Sequence, residues 1–435
     1  MKTRQSTPIS LLGTIIWLLA AGFFLYEFFL RALVGTIATQ VIADLHLSAG
    51  LFAIIGSAYY LAYGIMQVPV GILVDKFGIR HSLIVAAILC TLSVFGLSFS
   101  TTFTQAFICR IVMGLGSSFG FICLLTIVAI WFPRKNFAFF SGLSQFIGTM
   151  GPLLSAGPLA CLLAILNGNW RLLLTNIGLA GTVLTLLIFL FVKNTTARKK
   201  QQFIILRHQE PFKIRLRRLL KNPQIMAVSL YSAFIYSPMA LLGAVWGTIY
   251  LQAHGYSQTS SANTISVAWL GYALGCLTLG LMSDFFKKRK SLLTACAAMG
   301  VLATSGIVFV HANSLYIYTA LFACLGVAAA GQSLACATIS EHADNATRAT
   351  AFGLNNSAVI LFNVFIPPLV GFIIGLTANH HGIHFQSQDF YYGFSIMPIL
   401  HLAALVVAIF FIEETYCRSK AEVIIPHLDT ASAHP

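Results

Sequence analysis

Charged side chains are scarce in this chain. Only 9% of its 435 residues are Asp, Glu, Lys or Arg, and just 12 are acidic. A water-facing shell needs roughly 25–35% of such residues, so a soluble globular protein of this length is excluded. Paired-cysteine motifs are missing as well: no CxxC occurs among the nine cysteines, and eight of the nine fall inside apolar runs. That placement reads as small buried thiols, and it argues against a disulfide framework or a thiolate metal site. There is no G-x-x-x-x-G-K-S/T phosphate loop, and no polar stretch has the length of a nucleotide-hydrolysing domain. No enzymatic activity, no cofactor, no metal and no nucleic-acid partner is expected.

What is present is hydrocarbon. The chain is 58% hydrophobic with a mean hydropathy of +0.85, and apolar runs of about 20 residues, each long enough to cross a bilayer as a helix, recur along its length. They predict an all-α polytopic membrane protein with twelve spans, near 9–36, 48–73, 79–100, 103–131, 137–165, 171–193, 223–252, 260–283, 291–310, 314–340, 347–377 and 391–413. The first run follows Lys2 and Arg4, as a signal peptide would. It is too long for one, lacks a small-residue cleavage site and carries Glu27 and Arg31, so a retained span is expected.

The formal net charge of +14 is informative through its placement. Between the sixth and seventh runs lies "KNTTARKKQQFIILRHQEPFKIRLRRLLKNPQ", with ten Lys/Arg against the single acid Glu210. Within it, "FKIRLRRLL" has the pattern of a short basic amphipathic helix at a membrane surface. If the amino terminus is cytoplasmic, 23 of the 26 Lys/Arg lie in cytoplasmic loops or termini; the exceptions are Arg31, Arg110 and Arg171. Lys and Arg concentrate on the cytoplasmic side of membrane proteins, so both termini are expected there. The sequons at Asn194 and Asn345 then carry no meaning, and the "NHHGIHF" loop at 379–385 reads as solvated rather than metal-binding.

The chain also repeats itself. "GILVDKFGIRH" (71–81) is answered by "GLMSDFFKKRK" (280–290), an offset of 209 that aligns Gly71 with Gly280 and Asp75 with Asp284. "GLGSSFGF" (114–121) is answered by "GVAAAGQS" (326–333). The expected organisation is a bundle over 1–193, a basic linker over 194–222, a second bundle over 223–415 and a tail over 416–435. Parallel repeats of six spans, with a substrate site between them at mid-membrane, form one of the recurrent plans of secondary transporters.

Here the sequence resembles a known family. "GILVDKFGIRH" is similar to the signature loop of the major facilitator superfamily, with His81 in place of the last basic residue, and "RIVMGLG" (110–116) resembles its fourth-span motif. "GTIATQVIADLHLS" (35–48) resembles the end of the first span in the anion–cation symporter and phosphagenic-ester branches; "YEFFLR" resembles phagosomal nutrient importers of intracellular proteobacteria. The resemblance implies a multi-pass protein of a bacterial inner membrane, expected as a monomer, in contact with lipid. It also implies that Gly71, Asp75, Lys76, Gly78 and Arg80 form a gating latch, with a weaker counterpart at Asp284. Physically, the glycines permit a tight reversal, and the aspartate sets negative charge near a helix amino end.

Three ionisable residues fall at membrane depth: Glu27, Arg31 and Arg110. A charge there costs at least ~2.5–3.5 kcal/mol, which points to a water-reachable cavity. Glu27 and Arg31 stand one helical turn apart on one face. The Arg31 guanidinium, a planar fork of donors, suits a carboxylate. The anion–cation symporters carry a substrate-binding arginine at a similar place. Glu27 has two expected roles that do not exclude each other, to take up and release a coupling proton and to hold a substrate ammonium. Arg110, Tyr63, Gln145, Tyr236 and Asn356 complete the expected substrate site. These residues predict proton-coupled uptake of a small carboxylate-bearing nutrient, an amino acid or related organic acid, by alternating access. Export of a siderophore or drug by proton antiport is the alternative. A non-transporting sensor would add a signalling domain, for which no stretch provides.

Overall fold

The computed structural model describes residues 11–132, 137–193, 212–310, 314–343, 347–378 and 385–417. Among these, every long element is a helix, and twelve are long and apolar enough to cross a membrane: Leu11–Thr36, Ala49–Gln67, Ile79–Ser98, Phe103–Val128, Gly142–Ile165, Trp170–Phe191, Pro223–Ala253, Gln258–Phe286, Lys290–Phe309, Leu315–His342, Thr350–Ala378 and Ser387–Phe410. They fall on the twelve predicted runs. Local chemistry fixes several starts. Ser48, Thr102, Asn169 and Ser257 cap the second, fourth, sixth and eighth spans by accepting from backbone N–H groups of the first turn, and Asn222 caps the seventh. Gly151-Pro152, Gly157-Pro158 and Pro367-Pro368 are the clusters expected to kink the fifth and eleventh spans. The fifth is indeed split into Phe137–Leu154 and Gly157–Ile165, with Pro158 in the first turn of the second piece. The eleventh runs as one helix from Arg348 to Ala378 with Pro367 and Pro368 inside it.

The seventh span departs from a plain helix in a way the hydropathy does not disclose. A π-helical turn, Leu242–Trp246, separates Pro223–Leu241 from Gly247–Ala253. Pro238 lies just ahead of it and cannot donate its backbone bond. The widened turn presses on the first span: a Cβ on Gly35 would stand 2.8 Å from the Ala244 carbonyl oxygen. Glycine is therefore required there for the two backbones to touch.

The internal repeat returns as matching helix contacts. Gly114 of the fourth span lies against the backbone of Tyr59 in the second, and Gly326 of the tenth lies against the backbone of Ala268 in the eighth. Between the halves, the second span runs along the eleventh and the fifth along the eighth. Gly371 meets Ala49 and Ala53 toward one end of the first of these seams, while Gly64 meets Ile360 toward the other. All nine cysteines are free thiols.

Candidate functional site

Glu27 lies in the middle of the first span and is fully buried. Gly120 of the fourth span makes room for it; a Cβ there would sit 3.1 Å from the Glu27 Cγ. The Tyr59 hydroxyl donates to Glu27 Oε2 at 2.8 Å, with the Glu27 carbonyl also within 3.3 Å. Arg31, one turn on, donates through Nη2 to the same Oε2 at 3.3 Å. Both contacts fall on one carboxylate oxygen. Glu27 Oε1 and Arg31 Nε are buried without a hydrogen-bond partner, although an unmet polar valence in hydrocarbon costs several kcal/mol in order of magnitude. The guanidinium lies among rings instead, 4.0 Å from the Phe28 centroid, 4.7 Å from Tyr63 and 5.6 Å from Tyr59. Such faces stabilise a cation that is largely shielded from water.

Arg110 has a different environment from the one expected. Its Nε donates to the Ile55 carbonyl, its Nη1 to the Leu30 carbonyl and Met113 Sδ, and its Nη2 to the Arg31 and Gly56 carbonyls. A guanidinium has five N–H groups, and all five are engaged. Arg110 is buried beside the pair, 4.8 Å from the Tyr59 ring, as a brace that ties the first and second spans to the fourth. It retains no donor for a ligand.

The second half brings aromatic and amide groups to the same region. Tyr236 of the seventh span packs edge-on against Tyr272 of the eighth, centroids 5.7 Å apart, and lies near Arg31 and Tyr60. Tyr272 donates to Gln332 at 3.3 Å. Tyr63 stacks on Tyr59 at 6.1 Å. Asn356 of the eleventh span donates to Gln67 of the second at 3.1 Å, a bond between the halves. Gln145 is half-buried on the fifth span, next to the Ser144 hydroxyl that accepts from Trp17. Sequence reasoning places Tyr59 only in the general lining, with Tyr60, Tyr63 and Gln67, and does not single it out as the partner of Glu27. It also misses that Arg171 pairs with Asp44 at 2.7 Å, on the face opposite Leu11 where the first span begins.

The signature loop is described except for the Asp75 side chain, which lies outside the described residues. Gly78 takes a positive φ of 83° between the second and third spans, a backbone only glycine adopts freely. Gly71 is half-buried within the helix that ends there. Lys76 is exposed, its Nζ 5.4 Å from the Phe77 ring, and Arg80 donates to the Phe189 carbonyl at the end of the sixth span. In the second half Asp284 pairs with Arg289 at 3.0 Å, and Arg289 pairs also with Glu341 at 2.9 Å. The chain after the twelfth span closes over this cluster: Thr415 donates to Glu341, and the Glu414 carboxylate accepts from the Arg289 and Lys290 backbone N–H groups. The histidines of the 379–385 loop lie outside the described residues, and among the described residues no cluster of metal-ligand type occurs.

Twelve apolar spans in a repeated plan, with a buried ion pair inside the first of them, define a membrane carrier rather than an enzyme. The family model of the Major Facilitator Superfamily matches residues 18–269 and 228–424, and the chain belongs to that superfamily. It is 26% identical over 379 residues to the Probable galactarate/D-glucarate transporter GarP of Escherichia coli (strain K12), covering 79% of this chain and 84% of that one. It is 24% identical over 313 residues to the Hexuronate transporter of Bacillus subtilis (strain 168), covering 71% and 70%. Its match to the Uncharacterized transporter YybO of the same bacterium, at 24% identity, covers 62% of this chain and 65% of that protein's length. Among solved structures, a D-xylose-proton symporter superposes with a TM-score of 0.71 at 18% identity, over 93% of this chain and 99% of the other. That likeness establishes the fold.

Proposed function

We propose that this protein is a proton-coupled importer of a small carboxylate, with Arg31 receiving the carboxylate and Glu27 carrying the proton. The supporting observation is the incomplete pairing at mid-span: Arg31 Nε and Glu27 Oε1 are buried and have no partner. A carboxylate arriving at Arg31 completes the fork, and protonation of Glu27 frees the guanidinium to accept it. Tyr59 and Tyr63 hold the cation in place between these states, and Arg110 positions Arg31 through its backbone carbonyl. Tyr236, Gln145 and Asn356 supply the neutral contacts. The ammonium-holding alternative for Glu27 would favour an amino acid. The curated relatives are named for galactarate, D-glucarate and hexuronate, and a single arginine with tyrosines and amides suits a hydroxylated monocarboxylate or dicarboxylate equally well. A sugar acid is therefore the favoured substrate class.

Movement would follow alternating access of two bundles, 1–193 and 223–415, joined by the basic linker 194–222 and followed by the tail 416–435. Both termini are assigned to the cytoplasm of a bacterial inner membrane, the carrier acting as a monomer. The loop of Gly71, Asp75, Lys76, Gly78 and Arg80 serves as latch, with Asp284 in the weaker counterpart. The test is uptake into proteoliposomes under an imposed pH gradient, comparing labelled D-glucuronate and D-glucarate with a panel of amino acids. Arg31→Lys should reduce sugar-acid uptake about 10- to 100-fold although the charge is kept, the loss expected for one charge-assisted bond. Full uptake by that variant would remove Arg31 from the site, and uptake of amino acids alone would return the substrate to that class. Export is the second reading, since a Quinolone resistance transporter of Acinetobacter baumannii is 23% identical over 63% of this chain. Substrate-driven loss from preloaded vesicles would identify it.

A further inference from the structure

We propose that the basic helix ahead of the seventh span is a docking surface for anionic phospholipid headgroups. The helix Phe212–Leu220 exists as the sequence pattern predicts, and only Lys221 and Asn222 separate it from Pro223, where the seventh span begins. That spacing keeps it at headgroup level. Five basic residues (Lys213, Arg215, Arg217, Arg218 and Lys221) and no acid lie between 212 and 221. The helix has two distinct sides. Leu219 is 2% exposed, and the helix packs against the seventh and eleventh spans. Arg217 and Arg218 are exposed, and between them on the same outer side stands Ile214 at 52% exposure. An apolar side chain flanked by guanidiniums is what an anionic lipid surface accepts: the isoleucine enters the acyl boundary while the arginines take the phosphate oxygens. A neutral surface offers the first contact without the second. Because the eleventh span joins the second across the halves through Asn356 and Gln67, a helix held by lipid bears on the seam between the two bundles.

The experiment places a reporter on the docking side. Ile214→Trp protein is reconstituted in vesicles of phosphatidylcholine, or of phosphatidylcholine with roughly one-third phosphatidylglycerol, the brominated lipid being one or the other. Quenching is read as the difference from the parent protein, which subtracts the native tryptophans. Each basic residue at an anionic surface contributes about fivefold to partitioning, so quenching by brominated phosphatidylglycerol should exceed that by brominated phosphatidylcholine severalfold. The excess should disappear in high salt and in the Ile214→Trp background carrying Arg217→Gln and Arg218→Gln. It should persist with Lys287→Gln and Lys288→Gln, two exposed lysines of the loop between the eighth and ninth spans. Equal quenching by both lipids overturns the proposal, as does absence of quenching by either. So does equal loss in the two charge variants, which would reduce the effect to overall surface charge. All variants are exposed-site changes, and an unchanged elution profile verifies that each is folded. The readout is independent of substrate, so it stands or fails separately from the transport reading.

Discussion

At the scale of the residue, the central object is a carboxylate with one oxygen used twice and the other not at all. Tyr59 and Arg31 both reach Glu27 Oε2, while Oε1 remains unpartnered. If that group carries the proton, Glu27→Gln should leave substrate exchange between the two sides of a vesicle near the parental rate. Gradient-driven accumulation should fall to the equilibrium level, because nothing then couples the proton to the cycle. Accumulation at the parental level would remove Glu27 from the coupling. Arg110 yields a prediction of another kind. Five hydrogen bonds at the ~0.6 kcal/mol average for bonds within membranes sum to about 3 kcal/mol. Arg110→Leu should therefore lower the thermal transition of purified protein by several degrees, and an unaltered transition would deny the bracing role. The Glu27–Arg31 pair was legible in sequence because both members sit on one helix at a fixed spacing. The brace was not, because its acceptors are carbonyls of Leu30, Arg31, Ile55 and Gly56, and backbone acceptors leave no signature in side-chain identity.

At the scale of the element, the repeat makes an unusual comparison available. Gly78 and Lys287 stand at the same place in the two halves by the 209-residue offset. Both have positive φ, 83° and 51°, and Lys287 closes the eighth span in the left-handed region. A lysine there bears a Cβ penalty of roughly 1–2 kcal/mol that glycine lacks. Glycine in turn gives back part of this through the freer unfolded chain. Lys287→Gly should thus stabilise the protein by about 1 kcal/mol, read as a higher thermal transition, against the usual direction of substitutions. A lowered transition would show that the lysine side chain contributes more than its backbone costs. Spans and signature loop were readable because apolar length and glycine placement are written locally. The π-helical turn at Leu242–Trp246 was not, since "LLGAVWG" has ordinary helical composition and the widening answers a neighbour, the first span at Gly35.

At the scale of the whole molecule, the polar bonds that join the two halves among the described residues lie toward opposite ends of the seams. On the face opposite Leu11, where the first span begins, Thr39 donates to Gln252 at 2.7 Å, Gln258 donates to the Thr36 carbonyl at 2.7 Å, and the Gly157 N–H donates to Ser266 at 2.8 Å. Deeper toward the other face the Gln67–Asn356 bond joins the second and eleventh spans. The glycine contacts beside these bonds allow close approach, but packing among apolar helices in lipid lacks the hydrophobic drive it has in water. A seam built this way can part at one face while it holds at the other, which is what carrier motion requires. The exposed Thr39–Gln252 pair is the place to test it. Thr39→Cys with Gln252→Cys, joined by a short thiol-reactive bifunctional reagent, should stop net transport, and cleavage of a reducible linker should restore it. The parent with its native cysteines, treated alike, should be unaffected, because none of those thiols spans this seam. If the joined protein transports at the parental rate, the first and seventh spans need not separate at that face, and the opening must be sought elsewhere in the seam.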